Sequence, residues 1–220
     1  MTQKLGSIHW RQLDIADPEQ LKTPVTVVGA GGIGSEVVKI LAKVGFSNIE
    51  VYDDDSVEDY NLPNQFYRTQ DVGKPKVLAL KEIIKDFTDL DIEAHETKFI
   101  SQRPNDILIV TVDSMDTRIA IYKQVRYQPN LKYLIDGRMG GEIFCVYTVD
   151  MSNPMEKEHY EKSLYPSSEA EEAPCTAKAI LYNVGTVASM IVNNAKRACM
   201  KQNFRKQIDF DYVNMMLYTI

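Results

Sequence analysis

The chain has 220 residues, 44% hydrophobic and 25% charged, with a formal net charge of −6 and a pI near 5.2. That size and apolar content fit one compact α/β domain with a real core and argue against a second catalytic domain. The acidic balance gives no basic surface to release counterions from nucleic acid or to meet an anionic membrane, so neither partner is expected. No apolar run approaches the roughly 18 residues of a spanning helix, and Met1 to Trp10 has no apolar centre of a signal peptide. A cytoplasmic protein is expected. Cys145, Cys175 and Cys199 are odd in number and widely spaced, without a C-x-x-C pair. They argue against a disulfide framework and against a structural zinc.

In chain order, residues 1–24 form a polar lead-in with turn signals at Asp17-Pro18 and Thr23-Pro24. The β-branched run Val25-Thr26-Val27-Val28 then meets Gly29-Ala30-Gly31-Gly32-Ile33-Gly34, after which Ile33, Val37, Val38, Ile40, Leu41 and Val44 recur at helical spacing. This reads as strand, glycine turn and helix. Side chains at Gly29, Gly31, Gly32 and Gly34 would block a phosphate from the backbone N–H groups, and a helix N-terminus adds partial positive charge there. A second strand, Asn48 to Tyr52, ends in Asp53. That carboxylate lies at the usual distance, about 20 residues on, to hold a ribose hydroxyl. The chain is therefore expected to bind a nucleotide. Taken alone, the pattern also fits an NAD-dependent dehydrogenase.

Beyond Asp53 come Asp55, Val57, Asn61, Leu62, Asn64 and Gln65, then Gly73 and Lys76. The order D-x-D-x-V-x-x-x-N-L-x-R-Q followed by G-x-x-K resembles the ThiF/MoeB/HesA family, adenylating enzymes related to ubiquitin-activating enzymes. The departure is Asn64, which stands where the family has arginine. The resemblance implies an α/β fold with a doubly wound, Rossmann-like mixed sheet in a single domain, residues 25–220 forming the ATP-binding adenylation domain. It implies that Asp53 takes the ribose hydroxyls, with Asp55 beside it, that Asn61 and Gln65 support the phosphates, and that Lys76 reaches the phosphate chain. Asn64 would leave the departing pyrophosphate without a guanidinium, and Arg68 is a candidate substitute. Lys76 also reads as a solvated lysine opening a helix marked by Val77, Leu80, Ile83 and Ile84. Arg11, in Trp10-Arg11-Gln12, is either an ordinary surface arginine or the family's N-terminal arginine, which reaches into the ATP site of a second subunit. The second reading requires a homodimer.

A strand region around Ile92 contains His95, read as structural. The buried run Ile107 to Val112 ends in Asp113-Ser114, which opens a helix marked by Met115, Ile119, Tyr122 and Val125. One reading of Asp113 and Ser114 is a helix cap. By resemblance, the setting D-[NS]-x-x-x-R, here Asp113 to Arg118, makes Asp113 the ligand of the ATP magnesium, a hard cation that prefers oxygen. Arg118 would pair with the loop after Asp53. Tyr133 to Asp150 reads as two strands joined at Gly140-Gly141, with Cys145 inert among apolar neighbours. Arg138 is either a contact for a bound protein tail or a surface residue. Residues 151–174 read as a solvated acidic loop; by resemblance this is the crossover loop above the partner's tail. It leads to Cys175, ahead of a helix whose face is Ile180, Val184, Val187, Ile191 and Ala195. Cys175 is either a free thiol or, activated by the helix N-terminus and Lys178, the family's thioester or persulfide cysteine. Ile208 to Ile220 is expected to pack as a strand or a dimer contact.

The function implied by the resemblance is adenylation by Mg-ATP of the C-terminal carboxylate of a ubiquitin-like or sulfur-carrier protein ending in Gly-Gly. The acting residues would be Lys76, Asp113, Arg11 from a partner copy and Cys175. The alternatives are the dehydrogenase and a catalytically weak, nucleotide-binding pseudoenzyme.

Overall fold

The strand before the glycine turn lies inside an eight-stranded sheet. In the computed structural model, which describes residues 8–169 and 179–220, β1 (Val25–Val28) lies between β2 (Ile49–Tyr52) and β4 (Ile107–Val110), parallel to both. β3 (Glu93–His95) flanks β2, and β5 (Tyr133–Gly140) flanks β4, completing a parallel block. The chain then turns back into antiparallel β6 (Ile143–Asp150), followed by β7 (Gln207–Asp211) and β8 (Met216–Thr219). The order is β3-β2-β1-β4-β5-β6-β7-β8. Every residue of β1 and β4 is buried. Both faces of those strands are covered, which is why they read as continuous apolar runs rather than alternating ones.

One face carries α1 (Gly32–Val44), α2 (Lys76–Thr88) and α5 (Leu181–Cys199), whose Val37, Leu41, Leu80, Ile83, Val187 and Ile191 share one core cluster. The other carries α3 (Met115–Val125) and α4 (Pro154–Glu161), with Ile121, Tyr122, Val125 and Tyr160 in a second cluster. The sheet is therefore mixed, with helices on both sides, as expected. Among the described residues no helix is long and apolar enough to cross a membrane.

Two expectations change. Residues 151–169 are not simply loop, because Asn153 caps Met155 N, Pro154 opens α4, and Tyr160 and Glu156 are buried beneath it. The asparagine-proline pair is a helix start with a physical reason: a side-chain cap followed by a preset φ. Ile180 is the exposed N-cap residue of α5 rather than part of its buried face, which runs through Val184, Val187, Ile191 and Ala195. Residues 53–75 form a loop stiffened by two short helical turns, Asp59–Asn61 and Thr69–Asp71, and by a bridge between Ser56 and Pro75.

Candidate functional site

The glycine turn closes β1 onto α1 at the carboxyl edge of the parallel strands, and its glycines divide by role. Gly29 has φ +96°, and a Cβ there would lie 2.9 Å from the Thr111 carbonyl oxygen. At Gly34 a Cβ would stand 1.8 Å from the Gly29 carbonyl oxygen, so α1 can approach β1 only without a side chain. Gly32 faces the Asn64 carbonyl at 3.1 Å, whereas a Cβ on Gly31 would meet nothing within 4 Å. Gly29 and Gly34 thus serve packing, and Gly31 leaves open space in front of the first N–H groups of α1, which have no intrahelical partner.

The carbonyls of the turn are held from behind. The Thr111 hydroxyl donates to Gly29 O at 2.9 Å, the buried Tyr67 hydroxyl to Ala30 O at 2.6 Å, and Ser35 Oγ to Gly32 O at 3.2 Å. Ser35 Oγ also accepts from Phe66 N at 2.9 Å, joining the loop to α1. Sequence reasoning missed Tyr67, Thr111 and Ser35.

Asp53, at the end of β2, accepts from Ala30 N at 2.6 Å and from Asp55 N at 2.8 Å. Burial raises the pKa of its carboxyl, against the opposing pull of those two amides and of Lys76. Lys76 opens α2 at only 7% exposure, and its Nζ sits 2.7 Å from the Asp55 carboxylate. An ammonium at a helix N-terminus opposes the helix dipole and stays there beside an acidic partner. An anion entering the same space would serve it equally. A continuous hydrogen-bonded path therefore runs from the turn amide through Asp53 and Asp55 to Lys76.

The loop residues are used in different ways. Asn61 is buried, and its Oδ1 accepts from Glu58 N at 2.9 Å, so it shapes the loop. Gln65 Oε1 is buried with no hydrogen-bond partner. An orphaned acceptor beside the turn calls for a donor such as a ribose hydroxyl or a metal-bound water, and this fits a nucleotide. Arg68 does not stand in for the arginine replaced by Asn64. It is taken up by Asp71 at 2.8 Å and Asp86 at 2.9 Å, clamping the loop to α2.

Asp113 is exposed, just past the end of β4 and on the same edge as the turn. Its neighbour Ser114 is the cap of α3, accepting from Thr117 N at 3.3 Å. Among the described residues, side chains close enough to share a cation are Asp53, Asp54 and Asp55 in one group and Glu50, Glu93 and His95 in another. Asp113 stands apart from both, so a magnesium there would take its remaining ligands from phosphate and water. Arg11 is exposed, its guanidinium 5.3 Å from the Trp10 ring centroid. Cys175 and Lys178 lie outside the described residues.

Arg118 pairs with β5 rather than with the loop. Asp136, fully buried, accepts from Arg118 Nε at 2.6 Å, Arg138 Nε at 2.8 Å and the Tyr160 hydroxyl at 3.0 Å. Arg118 also donates to the Val112 and Gly137 carbonyls, and Arg138 to Ser163 O at 2.8 Å. The available signal was Asp136 itself, a charge within the run Leu134-Ile135-Asp136. A concavity of about 450 Å³ lined by Arg126, Leu131, Tyr133 and Asp150 lies at the other end of the strands and does not coincide with the glycine turn.

The ThiF family matches residues 9–218. The chain is 39% identical over 135 residues to the NEDD8-activating enzyme E1 catalytic subunit of Arabidopsis thaliana, covering 53% of this chain and 30% of that protein. It is 35% identical over 112 residues to the sulfur carrier protein adenylyltransferase of Thermus thermophilus, covering 47% of this chain and 41% of that one. It thus spans well under half the length of these curated relatives. A crystal structure of E. coli MccB with ATP superposes with a TM-score of 0.72 at 18% identity, over 92% of this chain and 65% of that one. At that identity the likeness concerns the fold.

Proposed function

The chain belongs to the ThiF family, and from that membership we propose that it is an adenylyltransferase that activates the C-terminal carboxylate of a ubiquitin-like or sulfur-carrier protein with ATP. The observation that carries this reading is the path from Ala30 N through Asp53 and Asp55 to the buried Lys76. Hydride transfer has no use for a buried ammonium there, whereas a triphosphate does. The carboxylate attacks the α-phosphorus, forming the acyl-adenylate as pyrophosphate leaves. Asp53, with acceptor capacity beyond its two amide bonds, holds the ribose, Gln65 Oε1 takes a donor, and the amides beside Gly31 and the Lys76 ammonium face the phosphates. Asp113 is the residue assigned to magnesium, which when bound neutralises charge on the triphosphate oxygens.

The lead-in supports a homodimer. The Gln12 side chain donates to Val44 O at 2.5 Å, docking the Trp10–Gln12 turn at the C-terminal end of α1. α1 has 13 residues, about 20 Å at 1.5 Å per residue, so Arg11 lies far from its own glycine turn. Its charge serves catalysis only in a second copy's site. Cys175 then attacks the acyl-adenylate, releasing AMP and leaving the carrier as a thioester, in a cytoplasmic enzyme. Pyrophosphate exchange tests the reading. Label should enter ATP only when a Gly-Gly-ended carrier is present, and Asp113→Ala should abolish exchange while Cys175→Ala spares it. Exchange absent with every carrier, beside intact ATP binding, would favour the pseudoenzyme; full exchange in Asp113→Ala would remove the metal assignment.

A further inference from the structure

β2 and β3 carry a set of side chains that nucleotide chemistry leaves unused. Glu50 pairs in register with Glu93, and Tyr52 with His95, which puts all four on the sheet face away from α1 and α2. His95 Nε2 lies 3.5 Å from Glu50 Oε2 and 3.7 Å from Glu93 Oε2, and the three ligand atoms fall within 4.8 Å of one another. Ligands of a tetrahedral zinc, with bonds of about 2.0–2.1 Å, are about 3.3 Å apart, so two of these separations are already close to ligation geometry.

The set is oriented by its surroundings. Glu50 is only 14% exposed at its side chain. Its Oε1 accepts from the Thr26 hydroxyl and from Asn105 Nδ2 at 2.9 Å, and its Oε2 from the Tyr52 hydroxyl at 3.3 Å. The His95 ring stacks on Tyr52 with centroids 4.3 Å apart, which fixes its plane. Its Nε2 is buried and makes no hydrogen bond. The His95 side chain is 34% exposed, but its Nε2, without a hydrogen bond and 3.5–3.7 Å from two carboxylate oxygens, is placed as a metal ligand would be, with hydrogen bonds holding Glu50 behind it.

We propose that Glu50, Glu93 and His95 bind a divalent transition-metal cation of the zinc class. Imidazole with two carboxylates selects such an ion over magnesium or calcium, which prefer oxygen alone. Glu93, 76% exposed at its side chain, gives the ion its way in. The absence of a C-x-x-C pair bears only on thiolate zinc sites and leaves this set untouched. The ion ties the short edge strand β3 to β2. Because Asp53 N donates to His95 O at 3.2 Å, it also stiffens the strand end that carries the nucleotide carboxylate.

The test uses the full chain, stripped by chelator and titrated with Zn²⁺ by calorimetry. One equivalent should bind, raise the melting temperature and, with Co²⁺ in its place, give visible d–d absorption. His95→Gln, Glu50→Gln and Glu93→Gln should each weaken binding at least tenfold. Glu93→Gln is an exposed change that leaves folding intact, so it stands if the buried variants misfold. No stoichiometric Zn²⁺ binding, a tight equivalent that survives in Glu93→Gln and His95→Gln alike, or equal affinity for Mg²⁺ would each overturn the proposal.

Discussion

Two charged clusters at the carboxyl edge of the parallel strands, one at the glycine turn after β1 and one around Asp136 in β5, use their hydrogen-bonding groups in opposite ways. At the glycine turn, Asp53, Asp55 and Lys76 are linked in one path, while the Gln65 oxygen is left without a partner and the space at Gly31 is open. Around β5, Asp136 is fully buried, and Arg118, Arg138 and Tyr160 spend their donors on it and on nearby carbonyls. Incomplete satisfaction marks the first as a place for a ligand, and complete satisfaction marks the second as scaffold.

Substitutions sharpen that contrast. Asp136→Ala leaves two arginines buried without their carboxylate and should cost about 3–5 kcal/mol in urea unfolding. Gly34→Ala forces a methyl against the Gly29 carbonyl and should cost about 3 kcal/mol, with a matching fall in the denaturation midpoint. Tyr67→Phe leaves Ala30 O without its hydroxyl donor and should cost about 1–2 kcal/mol. Gly31→Ala should change stability by less than about 0.5 kcal/mol, since its Cβ enters open space, yet lower ATP affinity at least tenfold by calorimetry. A Gly31→Ala protein that binds ATP normally would erase the distinction between the two clusters.

The same contrast governs what the sequence reveals. β1, the turn and α1 are legible because a buried parallel strand is apolar throughout and the glycine spacing is local. Arg118 is misread because its partner lies 18 residues away on another element. α4 is misread because most of its residues are polar and only Glu156 and Tyr160 are buried. Arg68 is misread because, beyond its local partner Asp71, it also pairs with Glu82 and Asp86, a full helix turn or more into α2. Long-range pairing of charged side chains leaves no periodic trace, whereas a local turn does.

On the function proposed here, Lys76 belongs to a nucleotide cradle rather than to the fold. Calorimetric titration of ATP with magnesium into the wild-type chain and Lys76→Met measures this most directly, with urea unfolding run alongside. Its partner Asp55 is exposed, so losing the pair should cost little stability. ATP affinity should fall at least tenfold, about 1.4 kcal/mol, while the unfolding midpoint stays in place. Unchanged ATP affinity in Lys76→Met, or no ATP binding by the wild-type chain, would contradict that role for Lys76.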